Sequence, residues 1–300
     1  MKPERRLVID IGTNSVLALL VDFSSGGMEV LADRQMTTRL GQDLSKTGRL
    51  SDDAMSRTSK AIESFVEEAE FDSAFLVGTE ALRVAENSAD FIDLIEKKTG
   101  YRPLIISGRQ EAEFTFRGAI PGLHLNSGNI VVVDVGGGST EVINGKDDQM
   151  TETESIPLGA LKLREAVGIE KLFAYRDFAH DFMIERNSLD SSLPEEKMVG
   201  VGGTITSVAA LAQGFDVYNP GAIHGYRMSA DKLESVAARF EKAGDQERRK
   251  LIPFDPQRAD LILPGTGIFL AVMGIIGVND LTVSTGGLRF GVALSPDNLL

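Results

Sequence analysis

Two aspartates in matching surroundings offer the first chemistry in this 300-residue chain. Asp10 closes the apolar run LVID and is followed by IGTNS, and Asp134 closes IVVVD and is followed by VGGGST. A glycine-rich turn between strands exposes successive backbone N–H groups to an anion, here through Gly136, Gly137 and Gly138 in the second turn. Thr13, Ser15, Ser139 and Thr140 can add hydroxyl donors. The carboxylates themselves repel phosphate, so their natural role is to hold magnesium, directly or through water, against phosphate oxygens. The alternative is an Asp bonded to its own turn. A third anion site is offered by VGVGGTITS, where Gly202, Gly203 and Thr204 open a helix whose first N–H groups and positive dipole end favour phosphate.

Several chemistries are excluded. The chain has no cysteine, which removes disulfides, thiolate zinc sites and cysteine nucleophiles. Its three histidines, His124, His180 and His224, stand at no metal-ligand spacing, so a bound metal is expected to be a hard cation on oxygen ligands. A net charge of -13 disfavours broad nucleic-acid binding, although local basic groups or a metal can still recruit a polyanion. GGGSTEV is followed by a strand rather than a helix, which is the wrong context for a dinucleotide fingerprint, and no Walker-type phosphate loop occurs. No apolar run is read as long enough for a membrane span, and no secretory or lipidation signal is read at the start, which points to the cytoplasm.

The elements that must carry these residues alternate as in an α/β layer fold. Residues 7–23 read as strand, turn and strand, 51–69 as a capped amphipathic helix, 74–78 as a strand, 88–99 as a helix, 103–107 as a strand, and a helix follows from near Gln110. The segment 120–129, IPGLHLNSGN, interrupts the pattern and reads as a linker. Residues 129–145 then repeat the opening design about 124 residues on, which suggests a duplication. The other reading is two unrelated hairpins that both use glycine turns. A helical region spans 159–187, strand–turn–helix patterns are read at 198–214 and again at 259–276, and 281–294 gives a last strand, turn and helix. Two domains are therefore expected, 1–122 with the first phosphate turn and 123–300 with the second, the last helix packing back on the first domain. The architecture is that of the actin-like ATPase, or ribonuclease H-like, fold: two mixed β-sheets flanked by helices, with an interdomain cleft in which facing turns grip phosphate.

DIGTNS at 10–15, GTEALR at 78–83, SGRQEA at 107–112, DVGGGSTE at 134–141, SIPLGALKLRE at 155–165, GVGGTITSVAAL at 200–211, HGYRMS at 224–229, KLIPFDPQRADLILPG at 250–265 and STGGLRFG at 284–291 follow one another in the order of a known family. By these motifs the chain resembles the exopolyphosphatase and guanosine pentaphosphate phosphohydrolase family, in its short two-domain form. The resemblance implies that Glu111 is the catalytic base and that Arg83 makes a bidentate phosphate contact. It further implies that Asp10, Asp134 and Glu141 serve magnesium or the catalytic water, that Asn14 and Ser15 belong to the first phosphate loop, and that Gly136, Gly137, Gly138 and Ser139 form the second. Three departures stand out. Gln110 replaces a second glutamate, Thr285 and Gly286 replace Asp and Arg, and Val16, Leu17 and Ala18 lack a basic residue frequent there. The implied reaction is metal-assisted attack of water on the terminal phosphate of polyphosphate or guanosine pentaphosphate. A phosphotransferase and a non-catalytic polyphosphate or alarmone sensor are the competing readings, and the resemblance admits a homodimer.

Overall fold

The apolar runs that end in Asp10 and Asp134 form the central strands of two separate sheets in the computed structural model, which describes residues 4–24, 26–125, 128–147, 149–168, 171–186 and 197–295. The chain divides into two units, 1–118 with 288–300, and 119–287.

In the first unit β1 (Arg5–Ile11), β2 (Ser15–Asp22) and β3 (Glu29–Thr37) form an antiparallel meander. After α1 (Leu44–Thr47) and α2 (Asp52–Glu67), β4 (Ser73–Gly78) pairs parallel to β1. Next come α3 (Glu80–Val84), α4 (Ser88–Thr99), β5 (Leu104–Ile105) and α5 (Gly108–Ala119). The sheet order is β3-β2-β1-β4-β5. Alternation along β1 sends Leu7, Ile9 and Ile11 to one apolar cluster with α2 and α4, and Val8 to the other with Phe114 of α5 and Val292. The α2 start follows from chemistry read in the sequence: the Ser51 side chain accepts from the Ala54 N–H, and Asp52 and Asp53 occupy the positive end of the dipole. The C-terminal helix, Leu288–Leu294, packs in this unit. It approaches α5 so closely that a Cβ on Gly291 would lie 1.8 Å from the Phe114 carbonyl oxygen.

In the second unit β6 (Asn129–Val135), β7 (Thr140–Lys146) and β8 (Gln149–Ile156) repeat the meander. Then follow α6 (Ala160–Val167), α7 (Leu172–Glu185), β9 (Lys197–Val201) and α8 (Gly203–Ala212). The unit continues through α9 (Pro220–Ile223), β10 (Arg227–Ser229), α10 (Ala230–Lys242), α11 (Asp245–Leu251), a 3₁₀ turn (Pro256–Leu261), α12 (Ile262–Ile276) and β11 (Asp280–Val283). The sheet order is β10-β11-β9-β6-β7-β8, with β9 parallel to β6. From β8 to β11 it repeats the first sheet's order, and one antiparallel edge strand is added. Two mixed β-sheets flanked by helices, as read from the sequence for an actin-like fold, are observed.

Two readings need correction. Residues 259–276 hold no strand: the 3₁₀ turn runs directly into α12, and Gly265 and Gly267 lie inside the helix where Thr204 and the Tyr175 segment press against it. Buried on nearly every side, α12 has no polar face to give it a helical period. For the same reason the stretch Pro256–Ile276, 21 residues of mean hydropathy 1.9, does reach the length and composition of a membrane span. It is 83% buried inside the protein, as befits a core helix. Residues 126 and 127 of the linker segment, and 169, 170 and 187 of the helical region 159–187, lie outside the described residues.

Candidate active site

The first turn is held by its own carbonyls. The Gly12 N–H donates to the Ser15 carbonyl over 3.0 Å and closes the β1–β2 hairpin. The Asn14 carbonyl accepts from the N–H groups of Thr38 (3.0 Å) and Arg39 (2.8 Å), and the Thr13 carbonyl from Gly41 (2.9 Å). Each peptide is planar and trans, so turning those carbonyls toward residues 38–41 aims the N–H groups of Asn14 and Ser15 the opposite way. Gly41 makes the approach possible, because a Cβ there would sit 2.4 Å from Thr13 Cγ2. Thr13, Asn14 and Ser15 are all buried, the Asn14 amide donates to Ser15 Oγ, and Asn14 Oδ1 is a buried acceptor without a hydrogen-bond partner.

The second turn copies this device. Gly136 N–H donates to the Ser139 carbonyl, again at 3.0 Å. The Gly136 and Gly137 carbonyls accept from Ala160 (2.9 Å) and Leu161 (3.0 Å) at the start of α6, which aims the N–H groups of Gly137 and Gly138 away from that helix. Gly159 plays the part of Gly41: its Cβ would fall 2.4 Å from the Gly137 carbonyl carbon. Asp134 pairs across the hairpin with Glu141, whereas Asp10 pairs with Leu17. Glu141 is buried and accepts from the hydroxyls of Ser139 (2.6 Å) and Ser155 (3.0 Å). Thr140 is wholly buried and its hydroxyl donates to the Leu158 carbonyl over 2.6 Å, so this side chain fastens the turn to the segment before α6.

At the start of α8, Gly202 has φ +92, and a Cβ on it would lie 2.7 Å from Asp134 Oδ1. The helix start is thereby pressed against the second turn's aspartate. Gly203 is covered by a guanidinium: a Cβ there would lie 1.9 Å from Arg258 Nη1. Arg258 is buried, and its Nε donates to Asp255 Oδ2 over 2.8 Å. A cation thus stands beside a helix N-terminus, the end of a helix whose dipole favours an anion. Sequence reasoning missed Arg258. Its signal was the D-x-x-R spacing of Asp255 and Arg258 at the entrance to the most apolar helix among the described residues.

Glu111, the base that the resemblance implies, lies in the first unit. Glu111, on the first turn of α5, is buried and accepts from Arg83 Nη1 over 2.5 Å; the same nitrogen donates to the Ile106 carbonyl at 3.0 Å. Burial pushes the Glu111 carboxyl above the usual range, Arg83 pulls it down, and the negative charge of Glu80 pushes it up. Gln110, which departs from the expected second glutamate, caps α5. Its N–H donates to Ser107 Oγ (3.2 Å) and its Oε1 accepts from the Ser107 N–H (3.0 Å), a reciprocal capping box.

Among the described residues no three His, Cys, Asp or Glu side chains gather into a ready-made metal cage. Each unit's turn nevertheless carries hard oxygens, Asp10 and the unpartnered Asn14 Oδ1 in the first unit, Asp134 and Glu141 in the second. Oxygen donors of this kind fit magnesium, which is usually held by one or two carboxylates, water and the substrate's own phosphates.

Comparison with known proteins agrees on one family. The profile described as the Ppx/GppA phosphatase family matches residues 19–298. Exopolyphosphatase 2 of Mycobacterium tuberculosis is 31% identical over 313 aligned positions, which cover 97% of this chain and 98% of the relative. The crystal structure of an exopolyphosphatase-like protein superposes with a TM-score of 0.88 at 28% identity, covering 99% of this chain and 98% of that one. The Aquifex aeolicus member of the Ppx/GppA family superposes with a TM-score of 0.80 at 29% identity, with the same coverage.

Proposed function

Because the chain belongs to the Ppx/GppA phosphatase family, we propose that it is a phosphoanhydride hydrolase that releases the terminal phosphate of inorganic polyphosphate, guanosine pentaphosphate or both. The name of the Mycobacterium tuberculosis relative supports the first substrate. The single observation that carries the reading is the buried Glu111 carboxylate, held by Arg83 and pushed toward greater basicity by its burial.

In this reading Glu111 accepts a proton from water as the water oxygen forms its bond to the terminal phosphorus. The bond from that phosphorus to the bridging oxygen breaks, and the shortened chain leaves as an anion. Arg83 fixes the Glu111 carboxylate, and the donors of its fork beyond Nη1 suit phosphoryl oxygens. In the first unit the N–H groups of Asn14 and Ser15, and in the second those of Gly137 and Gly138 with the start of α8 and Arg258, supply positive potential for phosphate. Asp10, Asp134 and Glu141 are the carboxylates that would hold magnesium or another hard divalent cation, which when bound neutralises phosphate oxygens.

The test is phosphate release measured side by side from polyphosphate, guanosine pentaphosphate and ATP, with and without magnesium. Magnesium-dependent release from either of the first two, exceeding release from ATP, is expected. Folded protein that binds polyphosphate without releasing phosphate, or that transfers it to ADP faster than to water, overturns the proposal.

A further inference from the structure

Glu80 is a buried carboxylate that the mechanism above does not use. It opens α3 directly after β4, and its Oε2 accepts from Thr13 Oγ1 in the first phosphate turn over 3.3 Å. Three residues on, and so on the same face of the short helix, Arg83 reaches Glu111. Glu80 therefore touches the turn that receives phosphate and shares a helix with the arginine that fixes the base. A buried acid beside an anion site is unfavourable unless its charge is put to use.

Building on the reading of Glu111 as the base, we infer that Glu80 is a positioning residue for the reaction: it supplies the second carboxylate that Gln110 does not, and it ties the first phosphate turn to the Arg83–Glu111 pair. The charged groups that face Glu111 are Arg83 and Glu80, both from α3, with opposite effects on its proton affinity. With Glu80 in place, its negative charge disfavours a second negative charge on Glu111 and so offsets part of the pull of Arg83. A more basic Glu111 takes the water proton more readily. The tie to Thr13 has a separate consequence, since it sets the turn's place relative to the base.

The experiment separates the two effects and does not depend on turnover. Carboxyl-carbon NMR of 13C-glutamate-labelled protein follows the Glu111 titration in wild type, Glu80→Gln, Glu80→Asp and Thr13→Val. Glu80→Gln is expected to lower the Glu111 midpoint by about half a pH unit or more, the scale of a neighbouring charge. Glu80→Asp keeps the charge and is expected to stay near wild type, as is Thr13→Val, which removes only the hydrogen bond. In phosphate-release assays the acid limb of the kcat/KM profile is expected to move with the midpoint in Glu80→Gln. For Thr13→Val, KM is expected to rise with the limb unmoved. An unshifted Glu111 midpoint in folded Glu80→Gln overturns the inference; if that variant does not fold, Glu80→Ala removes the same charge and is read the same way. A shifted midpoint in a protein that releases no phosphate refutes the proposed function and leaves the Glu80–Glu111 coupling standing.

Discussion

Arg83 donates to Glu111 over 2.5 Å across 28 residues of chain, joining the turn of α3 that follows β4 to the first turn of α5. Both side chains are mostly buried, at 20% and 11% exposure, so neither is an ordinary surface charge. A glutamate near a helix start can be no more than a partner for the helix dipole. A favourable dipole partner would stay exposed and carry an unaltered or lowered pKa, whereas Glu111 is buried and raised.

Glu111→Gln is expected to keep the fold, since an amide oxygen can still accept from Arg83, and to slow phosphate release by about a hundredfold or more. Its stability should also betray the raised pKa. Between the ordinary value of 4.5 and the higher folded value, the native state binds more protons at Glu111 than the unfolded chain does. Wild-type stability contributed by this group therefore falls as pH rises through that window, and the variant lacks the fall. The melting temperature of Glu111→Gln relative to wild type should climb from pH 4.5 upward; a constant difference would refute the raised pKa.

Gly41 and Gly159 should be intolerant in the same way, because each lets a hairpin turn lie against the segment that holds its carbonyls. The two substitutions differ in what must give. At Gly41 the obstructing atom belongs to the Thr13 side chain, at 2.4 Å, whereas at Gly159 it is the Gly137–Gly138 backbone, at 2.4 to 2.6 Å. Gly159→Ala is expected to cost about 1–3 kcal/mol, the usual scale of overpacking, and to raise KM by displacing the turn's N–H groups. Gly41→Ala should cost less. Denaturant melts with steady-state kinetics check both, and equal, negligible effects would mean that the turns do not hold phosphate as described.

Metal binding should depend on substrate. No three acidic or histidine side chains cluster among the described residues, so magnesium by itself has few protein ligands to gather. Thermal shift assays are expected to show little change with magnesium alone, a modest one with polyphosphate alone, and a larger one with both than the two effects summed. A strong shift with magnesium alone would reveal a preformed site and contradict this arrangement.

Much of this site could be read from the chain because its parts are local. The D-x-G turns, their 124-residue offset and the alternation in LVIDI and IVVVD are short-range patterns, and the two hairpins repeat even the Gly-to-Ser bond length. The start of α2 was equally plain from Ser51. What escaped depends on long-range packing. ADLIL before a glycine reads as a strand by composition, and only its burial on all sides makes it part of a helical core. Glu80 and Arg258 look like ordinary charges until the fold sets them against Thr13 and Gly203. Gln110, which stands where a second glutamate is expected, carries the S-x-x-Q capping signature of SGRQ.

His224 should make stability fall in mild acid. Its Nε2 donates to the Pro121 carbonyl over 3.2 Å and its Nδ1 accepts from the Thr285 N–H over 3.3 Å, an arrangement that requires the neutral ring. Burial holds its pKa below 6.5, so between the folded value and 6.5 the unfolded chain binds more protons. This group's contribution is complete above about pH 6.5 and is lost as pH falls, and His224→Gln should flatten that part of the profile. Thr285→Asp sets a carboxylate by the ring and should carry the His224 midpoint above 6.5, a reversal that proton NMR reads directly. An unmoved midpoint would mean that residue 285 does not govern the ring.

Arg258 supplies the sharpest test of the anion site proposed at the start of α8. Its guanidinium lies flat enough over Gly203 that a single methyl group there would overlap it, and Asp255 fixes its Nε. Lysine at 258 would keep the charge but lose the planar fork and the bond geometry to Asp255. Arg258→Lys is therefore expected to raise KM for polyphosphate by about tenfold or more, the scale of a charge-assisted hydrogen bond, while kcat at saturation changes less. Gly203→Ala attacks the same spot from the other side by displacing the guanidinium, and it should raise KM in the same direction. The two lesions act on one contact, so the double variant should be little worse than the worse single variant. Fully additive losses would separate Arg258 from the α8 start and remove it from the anion site.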